Sequence, residues 1–215
     1  MVKKVETKKP VAKAVKKAPM EANIRFTPDD VEAYAKKDRM EEGLYQFLVT
    51  GSASKVSDEK KHLMLVLSCR VLATEGDAAS AKGYAMKRYV CLPLRNTEEP
   101  GHQPNEKFGG MVLPVFRALI PDQIPEMPRW ENKKLYFKGK EIQADEEAAA
   151  RKEVMETVCE VSSALYDNGG TELAGCGFYA YLTYPETGDF PEIKGWYAER
   201  PKDKNGNVVP LATEE

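Results

Sequence analysis

Residues 62 to 73 read HLMLVLSCRVLA, bounded before by SDEKK and after by TEGDAASAKG. The run is apolar at nearly every position and too short for a long buried helix, which predicts a strand buried on much of both faces. Working outward, Leu44 to Val56 (LYQFLVTGSASKV) opens with aromatic and branched residues and carries Gly51, which marks a bulge or sharp bend. On the other side, Tyr84 to Leu94 (YAMKRYVCLPL) predicts a third strand that ends at Pro93, a residue unable to donate to a ladder. Three consecutive strands with a central buried one are the frame for the rest.

Between Arg95 and Lys107 the chain is polar and contains Pro100 and Pro104, which indicates a long loop. MVLPVFRALI predicts a short helical segment broken or kinked at Pro114. PDQIPEMPRW is expected to be extended, because its prolines defeat a helix. From Asp145 to Tyr166, Val154, Val158, Val161 and Leu165 recur at helical spacing, and Asn168-Gly169-Gly170 stops the helix. Ala174 to Tyr184 and Pro191 to Glu199 read as two further strands joined by a PETGD turn. Upstream, Thr27-Pro28-Asp29-Asp30 starts a short helix running to about Asp38.

This order of parts predicts a mainly β fold with helices: a five-stranded Greek-key barrel of the oligonucleotide-binding (OB) type, with a helical insertion over 95–172 between strands three and four. A β-sandwich or an open α+β sheet can be written with the same parts. The expected organisation is a disordered basic arm over 1–22, the barrel domain with its short leading helix over 23–200, and a flexible polar tail over 201–215. No internal repeat is visible.

The 215 residues are 42% apolar and 31% charged, with a mean hydropathy of -0.53. That composition suits one globular domain and excludes a wholly disordered chain, and no apolar run approaches a membrane span. Without the apolar stretch of a secretory signal after MVKKVETKKP, a cytoplasmic location is expected. The cysteines at 69, 91, 159 and 176 form no CxxC pair and read as reduced core thiols. The net charge of -2 is uneven: residues 1 to 19 carry seven lysines against Glu6, leaving -8 for residues 20 to 215. Such an arm suits a tether to nucleic acid or to an acidic partner, and equally a solubilising tail.

No phosphate loop, nucleophile turn or HExxH motif occurs, so no catalytic residue, cofactor or metal site is assigned and the protein is expected not to be an enzyme. Abundant carboxylates keep a metal-dependent nuclease among the readings to be tested. Binding chemistry is better supplied. Lys55, Lys60 and Lys61 surround the first turn, Arg70 lies on the second strand, Lys87, Arg88 and Tyr89 on the third, and Tyr179, Tyr181, Lys194 and Trp196 on the last two. Cations interleaved with aromatics suit single-stranded nucleic acid, since phosphates need a basic groove and unpaired bases stack on rings. Alternation puts Phe178, Ala180 and Leu182 on one face and Tyr179 and Tyr181 on the other. It also turns Ile193 and Tyr197 inward and Lys194, Trp196 and Ala198 outward. The competing reading is that these aromatics are ordinary half-buried sheet residues.

The layout LYQFLVTGSASKVSDEKKHLMLVLSCRVL, YVCLPL, a long helix and ELAGCGFYAYLTYPETGDFPEIKGWYAERP resembles a family of tailed-phage single-stranded-DNA-binding proteins. The resemblance covers residues 43 to 200. Its most specific part is Leu173, Gly175, Phe178, Ala180 and Leu182, followed by Trp196 and Tyr197. It implies an OB fold, single-stranded DNA as partner, and a role beside phage or host replication and recombination proteins. A stacking platform also accepts RNA, and an oligomer is compatible with it. This chain differs by its lysine-rich arm, by the insertion between Arg95 and Asp145, and by lacking an acidic-aromatic terminus. The alternative is a virion or protein-interaction component whose arm meets nucleic acid or an acidic neighbour.

Overall fold

The computed structural model describes residues 40–77, 81–105, 107–186 and 191–212. The expected basic arm and the helix expected from Thr27 lie outside the described residues. Strands β1 (Gly43–Val56), β2 (Leu63–Leu72) and β3 (Ala81–Cys91) follow one another. Helix α1 (Lys107–Leu119), the short strands β4 (Arg129–Glu131), β5 (Lys134–Phe137) and β6 (Lys140–Ile142), and helix α2 (Glu147–Asp167) come next. Strands β7 (Gly177–Thr183) and β8 (Glu192–Tyr197) close the series. The five long strands form one antiparallel sheet in the order β3-β2-β1-β7-β8, curled into a half-barrel. The mainly β expectation therefore holds, and each of the five long strands expected from the sequence is present.

Alternation builds the concave side. Phe47 and Val49 of β1, Leu65, Leu67, Cys69 and Val71 of β2, and Phe178, Ala180 and Leu182 of β7 are all fully buried there. Phe47 stacks on Phe178 at 5.2 Å between ring centroids. Helix α1 fills this hollow with Val112, Val115, Phe116 and Leu119. The segment expected to be broken or kinked at Pro114 is one unbroken helix to Leu119, with this proline on its exposed side.

Gly51 marks an irregularity, as the sequence suggested: pairing passes from Val49↔Cys69 to Gly51↔Ser68, so Thr50 is the extra residue. Beyond it, the inward positions are Ser52 and Ser54. Their hydroxyls donate to the carbonyl oxygens of Gly169, Gly170 and Tyr166, which fixes the end of α2 against β1. Helix α2 buries Val154, Val158 and Leu165, close to the expected bounds.

Two regions differ from expectation. Residues 129–142 form a three-stranded meander, whose two turns place Asn132-Lys133 and Lys138-Gly139 at positive φ, the geometry of two-residue hairpin turns. The segment expected to be a flexible tail folds back over the convex side through residue 212. Lys202 pairs with Val208, the Ala212 N–H donates to the Leu44 carbonyl at 2.9 Å, and Leu211 is only 3% exposed. A polar stretch with Val208, Val209 and Leu211 near its end can do this when a hydrophobic patch awaits it; Leu44, Tyr179 and Leu211 form that small second core, with Val209 packed against it.

Among the described residues no helix is long and apolar enough to cross a membrane. All four cysteines are free, and burial pushes the Cys69 thiol up to about 12.

Candidate nucleic-acid interface

The register of β1, β2 and β3 decides which candidate side chains meet. On the convex side, Lys55 lies opposite Met64 and Met64 opposite Cys91; Ala53, Val66 and Tyr89 form the next row; then Gly51, Ser68 and Lys87; then Leu48, Arg70 and Ala85. Lys55, Arg70, Lys87 and Tyr89 thus share one face, with small or apolar residues between them and no carboxylate in these rows. Tyr89 is 58% exposed, the largest ring area this face offers. Lys60, in the β1–β2 turn, adds charge at one end of it, while Asp58 takes part of the Lys55 charge through a 3.6 Å ion pair.

The other candidates are placed elsewhere. Arg88 lies opposite Leu67 and therefore points to the concave side, where its Nη2 donates to the Ile193 carbonyl at 3.5 Å. It links the two outer strands of the half-barrel across their gap. Lys61 holds the turn: its φ is 54° and its carbonyl accepts from Asn96 Nδ2 at 3.0 Å. Tyr179 is on the convex side, as alternation required, but the returning segment covers it to 8% exposure and its hydroxyl donates to Glu75. Arg200 pairs with the same carboxylate at 3.3 Å. Burial and the Glu75 bond raise the Tyr179 phenol to about 12. Tyr181 packs against this same cluster.

Trp196 faces the opposite way from the expected one. Gly195 has φ +73°, and pairing passes from Tyr181↔Lys194 to Tyr179↔Tyr197, so two residues of β8 stand against one of β7. This bulge exchanges the faces of the two residues after it. Trp196 turns inward and stacks on Phe178 at 4.4 Å and 23°, while Tyr197 turns outward toward Tyr181. Lys194 remains outward and exposed, at the sheet edge farthest from β3 in strand order.

A feature without a sequence signature lies beside the basic face. His62, before β2, and His102, in the loop before α1, are 40 residues apart in sequence, yet Nδ1 of His62 and Nε2 of His102 are 3.0 Å apart. The Asn96 backbone N–H donates to His102 Nδ1 at 3.1 Å, so that nitrogen is unprotonated. His102 then carries its proton on Nε2 and donates to His62 Nδ1, leaving the His62 proton on Nε2. Phe108 of α1 meets the His62 ring edge-on at 4.9 Å. Burial, His102 and Lys60 together hold the His62 pKa below the usual histidine value. An open depression of about 560 Å³ lies here, lined among others by Lys55, Lys60, His62, Tyr89 and Phe108.

Among the described residues no group of three His, Cys, Asp or Glu side chains is arranged to hold a metal ion. Compared with family models, curated proteins and solved structures, the chain matches none of them. Its function is therefore read from side-chain placement.

Proposed function

We propose that this protein is a non-enzymatic binder of single-stranded DNA that acts in phage DNA replication or recombination. The observation that carries the reading is the convex face of β1, β2 and β3, where Lys55, Arg70 and Lys87 share a face with the exposed Tyr89 ring and no carboxylate stands in the same cross-strand rows. Lysine and arginine take phosphates by counterion release, and an open ring takes an unpaired base. The strand order supports an OB-type barrel: β3-β2-β1-β7 is the spatial order of a Greek key, and β8 comes round toward β3, whose Arg88 reaches the Ile193 carbonyl of β8. The phage setting comes from the resemblance of residues 43 to 200.

Fluorescence anisotropy with single-stranded DNA, duplex DNA and RNA, each with and without magnesium, tests it. Magnesium-independent binding of single strands is expected, with a log–log salt slope of about -0.7 per neutralised phosphate. The rival, a virion or protein-interaction component, draws on the charge of -8 carried by residues 20 to 215, which repels a polyanion at long range. Absence of all nucleic-acid binding favours that rival, and strand cleavage favours a nuclease.

A further inference from the structure

We infer that the depression beside the β1–β2 turn holds one unstacked base of the bound strand, and that it selects thymine through the Nε2–H of His62. This inference rests on single-strand binding at the convex face and adds a base-reading site to it. The cavity, about 560 Å³, is of a size that takes small ligands, and it opens next to the exposed Tyr89. Phe108 and Tyr89 give it aromatic surface for a base to pack on. The hydrogen-bonding groups around them are of both kinds. His62 lines the cavity and carries its proton on Nε2, because the Asn96 N–H and His102 fix its tautomer. Lys60 adds a second donor and Glu59 an acceptor, while Lys55 and Asp58, which also line the cavity, pair with each other at 3.6 Å.

Thymine presents acceptor, donor and acceptor along its pairing edge (O4, N3–H, O2), which asks for donor, acceptor and donor from the protein. Cytosine presents an amino donor where thymine has O4 and an unprotonated N3 where thymine has N3–H, and so leaves one protein donor and the acceptor without partners. In an open depression water takes up the unpaired groups, so the discrimination is worth about one net hydrogen bond. His62 is therefore the specificity-determining residue. His102 is a positioning residue, since it acts only by holding the His62 proton on the outer nitrogen.

The test uses the full chain and single-stranded DNA probes of about 12 nucleotides, within the site size of one such domain. Each probe is abasic except for one central thymine, deoxyuridine or cytosine, so no other base can occupy the cavity. Thymine and deoxyuridine are expected to bind alike and about fivefold more tightly than cytosine, the worth of one net hydrogen bond. His62→Phe, which keeps an aromatic ring beside Phe108, is expected to abolish the preference and leave the salt slope unchanged. A second measurement needs no variant: 5-iodouracil at the central position of a probe is expected to crosslink to His62, Tyr89 or Phe108. Equal affinity for thymine and cytosine, a preference that survives in His62→Phe, or crosslinks confined to other residues overturns the inference while single-strand binding stands. If ordinary oligothymidine does not bind at all, the proposed function fails and this inference with it.

Discussion

An aromatic ring that stands 58% exposed on a sheet face contributes little to folding and is free to stack on a ligand. Tyr89→Ala is accordingly expected to weaken single-strand binding by about 1 to 3 kcal/mol while the thermal midpoint stays where it is. Lys87→Ala, on the same face, should instead lower the salt slope by about 0.7. Trp196 is the reverse case: stacked on Phe178, it should cost about 0.5 to 1.5 kcal/mol of stability or more when replaced by alanine, with the affinity of the folded fraction unchanged. Chemical denaturation and anisotropy on the same samples separate the two effects. His62 gives a pH signature. Its pKa is lowered in the folded chain by burial, by His102 and by Lys60, with Asp58 and Glu59 as the acidic groups lining the same cavity. The unfolded state therefore takes up the proton first. The contribution of this group to stability is complete above about pH 6.5 and is lost as the pH falls through the lower folded value. A thermal-melt series across pH 5 to 8 should show that loss in the wild type and a smaller one in His62→Gln.

At the level of elements, the bulge in β8 is the decisive feature. Gly195 holds a positive φ, and a Cβ added to it would come within 2.6 Å of the Tyr197 ring. Gly195→Ala should thus destabilise the fold by about 1 to 3 kcal/mol, the range for a non-glycine residue held in such a conformation. It should also release Trp196 from Phe178, seen as a red shift of its emission in a Trp130→Phe background. The reading of β8 by strict alternation fails for this reason alone. Residues Lys194-Gly195-Trp196 look like any three strand residues until β7 supplies a partner register, whereas the Gly51 irregularity stands in a long strand whose two halves differ visibly in polarity. The two hairpin turns of the meander, at Asn132-Lys133 and Lys138-Gly139, join strands of only three or four residues, too short to show a period in the sequence.

On the convex side the returning segment covers Leu44 of β1 and Tyr179 of β7, while the face over β1, β2 and β3 that carries Tyr89 stays open. Deleting residues 201–215 should expose Leu44 and Tyr179 and lower the unfolding midpoint, because it removes Leu211 from the second core and Arg200 keeps Glu75 without its neighbouring strap. Binding of dyes that report exposed apolar surface checks it. Much of this was open to a reader of the sequence. The five long strands, helix α2 and the Gly51 irregularity follow from local periodicity and turn chemistry, since side-chain alternation and helical spacing are properties of neighbouring residues. The membership of Lys55, Arg70, Lys87 and Tyr89 in a basic, aromatic set was legible too. What only the tertiary structure decided is which of the candidates share a face. Pairing with β2 decides that the face of β3 bearing Arg88 is the inward one, a bulge turns Trp196 inward, a tail bearing Val209 and Leu211 packs on Tyr179 and Tyr181, and chain return brings His62 to His102 over 40 positions. Each of these depends on a partner distant in sequence, and local pattern carries no information about distance-spanning contacts.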